Sequence, residues 1–456
     1  MIARRRARGA RHGHATRSGV GAGTGGEGDA LRYGGGSRGP LHGIPILVKD
    51  NYATAVTAYG HHYYREGHDG GDDDDKDTAM FTGGATAGAG SVCLEGLRRQ
   101  SAGADAEASV VARLRDAGAV VLGKANQDEF SGARGLRVPH GWNPRGDQTL
   151  GAYVAGQTAC NNSSGSAVAA SLGLAAGTLG TETAGSITCP AWTNNVVGIK
   201  PTVGLTPWHG IVAVAPRQDT AGPLARTVAD VALAPRRRLG TGRPRQLDAG
   251  AAVGLEWRRA AAALYGGAER LGVFWTDEDT FGAAYFANWA LVRRVFEAAL
   301  ADLEAAGAEP VRVDLVPQCR SARELVGWLN GKMAVYAIPD GRDAMQEYLG
   351  GFVADGPGSG SSVRSLADLV RCVEADPRER AADFDYAYLT MMMSSNASAG
   401  APEVWAGAAT RCDPTWTAVE TAPGSPLGIS FVAGRVDRGG AGRPVSDLPR
   451  PQPAVN

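Results

Sequence analysis

The stretch SAVAASLGLAAGTL, residues 166–179, narrows what this chain can fold into more than any other segment. Nearly every residue in it is small. A helix built from it offers a smooth surface on which neighbouring backbone packs at short range, so it belongs in the centre of a protein. Its end, Gly-Thr-Leu, reads as the start of a strand. Two hydroxyl-rich turns bracket it: Asn161-Asn162-Ser163-Ser164-Gly165-Ser166 before, and Gly180-Thr181-Glu182-Thr183-Ala184-Gly185-Ser186-Ile187 after. Serines on tight turns are what acyl transfer needs, because an exposed nucleophile then lies beside free backbone N–H groups.

The rest of the chain alternates helix and strand, the pattern of an α/β protein. Leu41 to Val48 reads as a buried strand between Pro40 and Asp50. Residues 106–117 (AEASVVARLRDA) read as an amphipathic helix stopped by Gly118, with a short strand at Val120 to Leu122. Further strands are expected at Val196 to Ile199, Leu271 to Phe274, Pro310 to Leu315 and Gly428 to Val432. Helices are expected at Leu224 to Leu233, Phe286 to Ala306 and Ser365 to Glu374. Residues 235–268, rich in Arg, Gly and Ala, read as a surface excursion, and the tail after Arg438 as disordered.

Residues 1–38 carry six arginines before the first acid, Glu27. That start is compatible with an organellar transit peptide and equally with a disordered tail, which leaves a cytoplasmic or an organellar location open. A formal net charge of −1 gives no pull toward nucleic acid or membrane. No apolar run reaches the length of a membrane-spanning helix. Residues 60–77 contain His61, His62, His68 and the run Asp72 to Asp75. A solvated acidic loop accounts for them more simply than a metal site, and neither a metal nor a cofactor is called for. The six cysteines are scattered without a C-x-x-C pair, so reduced thiols are the expectation. Cys160 and Cys189 flank the two turns and read as small residues packing a crowded site rather than as catalytic thiols.

Three segments could carry chemistry. Lys49 closes the apolar strand, where desolvation disfavours its charged form and makes it a base near neutral pH. The alternative is a lysine snorkelling at a strand end. The other two segments are the serine turns. The backbone N–H groups from Thr183 through Ala184 and Gly185 to Ser186 could form an oxyanion hole. Either turn alone reads as an ordinary loop.

Taken together, the segments resemble the amidase signature family. The motifs that carry the resemblance are GPLHGIPILVKDN from Gly39, GKAN at Gly123 to Asn126, SSGSAVAA at Ser163 to Ala170, LGTETAGSITCPA at Leu179 to Ala191, VVGIKPTVGLT at Val196 to Thr206 and QDTAGPLARTVAD at Gln218 to Asp230. They cover residues 39–233 densely, then thin out through SVRSLADLV near residue 365 and TAPGSPLGISF at Thr421 to Phe431. The resemblance implies a mixed central sheet flanked by helices on both faces, in one domain over residues 39–438. It also implies hydrolysis of a small-molecule carboxamide through an acyl-serine. Lys49 would be the base, Ser186 the nucleophile, and an intervening cis-peptide serine the proton relay. The backbone of Thr183, Ala184 and Gly185 would hold the oxyanion. Membership of a glutamyl-tRNA amidotransferase is a second role within the same resemblance, and a weakened member with a binding or scaffold role a third.

This chain departs from the family pattern at the relay. An ungapped alignment puts Asn161 on a glycine and Asn162 on the relay serine, with Ser163 as a substitute. A carboxamide cannot pass a proton as a hydroxyl can. Ala184 also stands where glycine is usual. The short ends are expected to leave apolar surface that a homodimer would cover.

Overall fold

Strand β1 (Pro45–Lys49) is buried from Ile46 to Lys49, and the alternation of its side chains sorts them to two sides. Ile46 and Val48 join Val111 and Leu114 of helix α1 (Ser109–Asp116) in one apolar cluster. Leu47 packs instead with Ala125, Ala169 and Ala175. Lys49 follows Leu47 by two residues and so shares its side of the sheet. The structure is a computed structural model that describes residues 40–54, 88–95, 98–99, 107–232, 270–274, 289–313, 337–353 and 363–396.

The central elements follow in chain order: β2 (Val120–Ala125), α2 (Ser164–Ser171), β3 (Gly177–Glu182), α3 (Thr188–Thr193), β4 (Val197–Gly198) and β5 (Thr220–Ala225). They form a five-stranded sheet in the order β2-β1-β3-β5-β4. β1 runs parallel to β2 and β3, while β5 is antiparallel to β3 and β4. The mixed sheet expected from the sequence is therefore present, with α1 on one face and α2 on the other.

The small-residue segment does what its composition requires. Helix α2 is buried from Ser164 to Ala170. A Cβ at Gly165 would lie 2.5 Å from the Asn126 backbone nitrogen, a contact that only glycine permits.

Past the sheet, a four-residue helix α4 (Val228–Val231) is followed by β6 (Arg270–Phe274), α5 (Trp289–Ala305) and β7 (Glu309–Val313). β6 and β7 pair in parallel, as a strand–helix–strand unit does. Residues 337–350 are helical. They contribute Met345 and Leu349 to a core completed by Leu369 and Val373 of α6 (Leu366–Ala375) and Leu389 and Met392 of α7 (Ala387–Ser394).

Two expectations are corrected. The segment Leu224 to Leu233 is not a helix. Its first residues end strand β5, and Thr227 accepts a hydrogen bond from the Asp230 amide as N-cap, so helix starts only at Val228. The expectation of reduced thiols also fails among the described cysteines. Cys93 pairs with Cys372 and Cys160 with Cys189, at Cα separations of 5.9 and 5.8 Å. Those separations suit a disulfide, and sequence spacings of 279 and 29 give no hint of them. Cys319 and Cys412 lie outside the described residues, as do the 60–77 insert, the 235–268 excursion, the Gly428 to Val432 strand and both tails. Among the described residues, no helix is long and apolar enough to cross a membrane.

Candidate active site

The C-terminal ends of β1 and β3 meet the N-terminus of α2 at one place. Lys49 arrives there from β1 with no exposed surface. Its Nζ donates to Thr181 Oγ1 at 2.7 Å and to the Thr181 carbonyl at 3.4 Å. Burial lowers its pKa to about 7, and the carboxylates of Asp128, Asp219 and Glu182 oppose that shift only in part. Lys49 is thus desolvated, as a lysine closing a buried strand is expected to be.

Glycine at position 180 makes room for the meeting. A Cβ there would fall 2.7 Å from Ser163 Oγ and 2.9 Å from Leu224 Cδ1. The Gly180 carbonyl accepts from the Tyr52 hydroxyl at 2.6 Å.

Ser186 is buried at the second turn, 4% exposed. Glu182, four residues earlier, braces that turn. Its carboxylate accepts from the backbone N–H groups of Gly185, Ile187 and Thr188 at 2.8 to 2.9 Å. The amide of Gly185, expected as an oxyanion donor, is therefore already engaged. No described residue accepts from the backbone N–H of Ala184 or Ser186. Gly185 has φ 81°, a value suited to glycine, whereas Ala184 avoids the left-handed region and is accommodated without strain. Thr183 donates its hydroxyl to Asp219 Oδ1 at 2.5 Å. The other Asp219 oxygen accepts from the Val214 and Ala215 amides. Burial nonetheless pushes the Asp219 carboxyl up.

The first turn brings Asn162 to Ser186. Asn162 Nδ2 lies 2.5 Å from the Ser131 carbonyl and 3.2 Å from Ser186 Oγ. The carbonyl can only accept, which fixes the carboxamide with its NH₂ toward both groups. Asn162 therefore donates to the Ser186 hydroxyl, while its Oδ1 is buried with no hydrogen-bond partner among the described residues. Asn161, on the family's glycine position, has φ 56° and Cys160 has φ 55°. Asparagine tolerates that region better than most residues; a left-handed non-glycine residue costs roughly 1–3 kcal/mol. Every described peptide bond is trans, so the cis bond implied by the resemblance is absent from this turn.

Ser163 does not reach Ser186 with its side chain. Its hydroxyl donates to the Thr181 carbonyl at 3.2 Å and accepts from the Thr181 amide at 3.3 Å. Only its main-chain N–H meets Ser186, at the carbonyl oxygen, 3.1 Å away. Among the described residues no hydrogen bond links Lys49 to Ser186, Asn162 or Ser163.

Four residues around the site lie within the motifs, yet nothing in the sequence assigns them a role: Asn51, Thr181, Glu182 and Asp219. Asn51 Nδ2 donates to Thr181 Oγ1 at 2.9 Å, so Thr181 receives both Lys49 and Asn51. An acid three residues before a Gly-Ser pair is the signal that could have picked out Glu182. Nothing local marks Thr181, whose partners Lys49 and Asn51 come from a distant strand, or the bond that Asp219 makes to Thr183, 36 residues away. Cys160 and Cys189, bonded to each other, offer no thiol.

Comparison with known proteins identifies the relatives of this chain. The Amidase family model matches residues 76–351, which include both serine turns and leave Lys49 upstream. A putative amidase of Arthroderma benhamiae is 42% identical over 195 residues, 43% of this chain and 28% of that protein. A glutamyl-tRNA(Gln) amidotransferase subunit from Halorhodospira halophila is 36% identical over 198 residues, 43% of this chain and 33% of that protein. The chain thus spans about a third of the length of such curated relatives. The crystal structure of peptide amidase from Stenotrophomonas maltophilia superposes with a TM-score of 0.63 at 32% identity, covering 84% of this chain and 67% of that one. With the sheet, the paired serine turns and these matches in agreement, the chain belongs to the amidase signature family.

Proposed function

We propose that the chain hydrolyses the C–N bond of a small carboxamide through an acyl-Ser186 intermediate, with turnover limited by Asn162 in the relay position. The observation that carries this reading is Ser186 itself. It is a buried hydroxyl on a turn braced by Glu182, with the Ala184 and Ser186 amides directed at no protein acceptor among the described residues. In the first step Ser186 Oγ attacks the amide carbon and the oxyanion settles on those two amides, the Thr183 N–H beside them. The C–N bond then breaks, the departing amine takes a proton, and water releases the acid from Ser186. Lys49, with a pKa of about 7, has the basicity to accept the serine proton.

Asn162 sits where the proton must pass and presents an N–H to Ser186, so it steadies the nucleophile without carrying its proton. General acid–base help is worth about 10²–10⁴-fold. Asn162→Ser is accordingly expected to raise turnover by about that factor, read as ammonia release from a panel of aliphatic, aromatic and C-terminal peptide amides. The name of the structural neighbour is the reason for including peptide amides. Activity that survives Ser186→Ala would remove Ser186 from its role, and an unchanged rate in Asn162→Ser would mean that another group already moves the proton. The disconnection of Lys49 from Ser186 favours one second reading, a member that binds amides and turns them over very slowly. The same panel separates the two.

A further inference from the structure

We propose that the Cys160–Cys189 disulfide positions Asn162 against Ser186, and that a dithiol reductant switches the site by opening it. The inference rests on the reading of Ser186 as nucleophile. The bond joins the residue just before the first turn to the first turn of α3, just after the second. The ring it closes, spanning 29 positions, contains Asn162, Ser163, α2, β3, Glu182 and Ser186.

The two sides of this ring are held unequally. On the Ser186 side, Glu182 fixes the turn through three backbone amides, and the Cys189 amide donates to the Gly185 carbonyl at 2.9 Å. On the Asn162 side, two consecutive non-glycine residues, Cys160 and Asn161, are in the left-handed region. Such strain persists only where the surroundings enforce it. The disulfide is the covalent constraint at that point. The hydrogen bonds hold mainly the flanks: the Ala159 carbonyl accepts from Thr193 Oγ1 and Asn194 Nδ2, Asn162 donates to the Ser131 carbonyl, and Ser163 is tied to Thr181 and to the Ser186 carbonyl. At the strained pair itself there is only the Thr158 hydroxyl accepting from the Cys160 amide. Opening the bond lets Cys160 and Asn161 leave the left-handed region and draws Asn162 away from Ser186, while the Ser186 turn keeps its shape.

Access differs between the two disulfides in degree. Cys160 and Cys189 are both half-buried, whereas in the other bond only Cys372 is half-buried and Cys93 is 2% exposed inside the core shared by α6 and α7. Exchange needs a thiolate to reach a sulfur. A dithiol attacks one sulfur of the Cys160–Cys189 bond and forms a mixed disulfide. Its second thiol then displaces the protein sulfur, leaving an oxidised dithiol and two protein thiols. Two electrons and two protons pass from the reductant to the protein.

The test uses the full chain with dithiothreitol as the dithiol. Alkylation and peptide mapping follow the cysteines, hydrogen exchange follows residues 158–164 and 183–188, and a fluorophosphonate probe follows Ser186. The expected result is selective opening of Cys160–Cys189, faster exchange confined to 158–164, and labelling slower by about 10²-fold, the size of effect that an ångström of misplacement produces. Reoxidation should restore the rate. The variant Cys160→Ser/Cys189→Ser should match the reduced protein and ignore dithiothreitol. Free thiols at both positions in protein purified without reductant would overturn the proposal, as would unchanged exchange at 158–164 after reduction. If the probe labels neither form, the nucleophile assignment fails, and the exchange data still decide the clamp.

Discussion

Lys49 shows how one residue's surroundings set its chemistry. The same amine in water would be charged at every physiological pH; with no exposed surface its pKa is lowered to about 7. The sign of the consequence follows. Between about pH 7 and the ordinary value of 10.5 the unfolded chain holds a proton at Lys49 that the folded chain does not. Stability contributed by this group therefore rises with pH across that window, by up to about 1.4 kcal/mol per pH unit, and is lost below it. In Lys49→Met urea titrations at pH 7 to 10 should lose the Lys49 share of that slope and keep the share that buried Lys124, with its pKa lowered to about 8, adds at higher pH, and the alkaline rise of kcat/KM through about pH 7 should vanish. A mutant that kept the rise would assign the limb to another group. Asn162 is the opposite case. Its identity was legible in the sequence as a misfit, yet the direction of its hydrogen bond was not, because the Ser131 carbonyl that fixes it comes from 31 residues upstream.

At the scale of elements, the site depends on how closely β3 and α2 approach. Gly180→Ala would push a methyl against Ser163 Oγ and Leu224 Cδ1, both inside 3 Å. Overpacking of this kind typically costs about 1–3 kcal/mol. A lower urea midpoint together with slower fluorophosphonate labelling of Ser186 is the expected outcome; full retention of both would mean that α2 has room to shift. The elements best read from sequence were those with strong local periodicity. Helix α1 and the β6–α5–β7 unit appear within a few residues of their expected limits. Those missed depend on partners. Pro223 and Gly222 argue against a strand at 220–225, yet the segment pairs with β3 on one side and β4 on the other. Pro339 and Gly341 likewise hide the helix at 337–350, which is held by Met345, Tyr348 and Leu349 in the core.

At the scale of the whole molecule, Arg134 ties the region beside the active site to the C-terminal helices. Its fully buried guanidinium contacts the carboxylates of Glu129 and Glu379 and donates to the Glu379 carbonyl at 2.6 Å. Glu379 Oε1 in turn accepts from the Ser91 hydroxyl and the Val92 and Cys93 amides. The Cys93–Cys372 bond stitches the same two parts together. Burial, reinforced by Glu379, holds the Glu129 carboxyl well above its usual range, whereas Arg134 opposes that shift. Two substitutions should therefore differ sharply. Arg134→Met strands a buried carboxylate and is expected to lose about 3–5 kcal/mol by urea unfolding. Glu129→Gln keeps the shape of a carboxyl whose charged form burial already disfavours and should lose less than about 1.5 kcal/mol. Equal losses would mean that Glu129 is charged.

The sequence by itself determined the α/β class, the central small-residue helix, the two serine turns with Ser186, and the buried lysine at a strand end. Each follows from local composition or periodicity, which the chain carries wherever it goes. Only the tertiary structure decided that Lys49 bonds to Thr181 rather than to the relay position, that Glu182 takes the Gly185 amide, that Asn162 donates to Ser186, and that Cys160 meets Cys189. Those are contacts between segments brought together by the pairing of β1 with β3 and the packing of α2 across them. Hydrogen-bond direction and disulfide pairing depend on separations of a few ångströms, and spacing along the chain does not encode such distances.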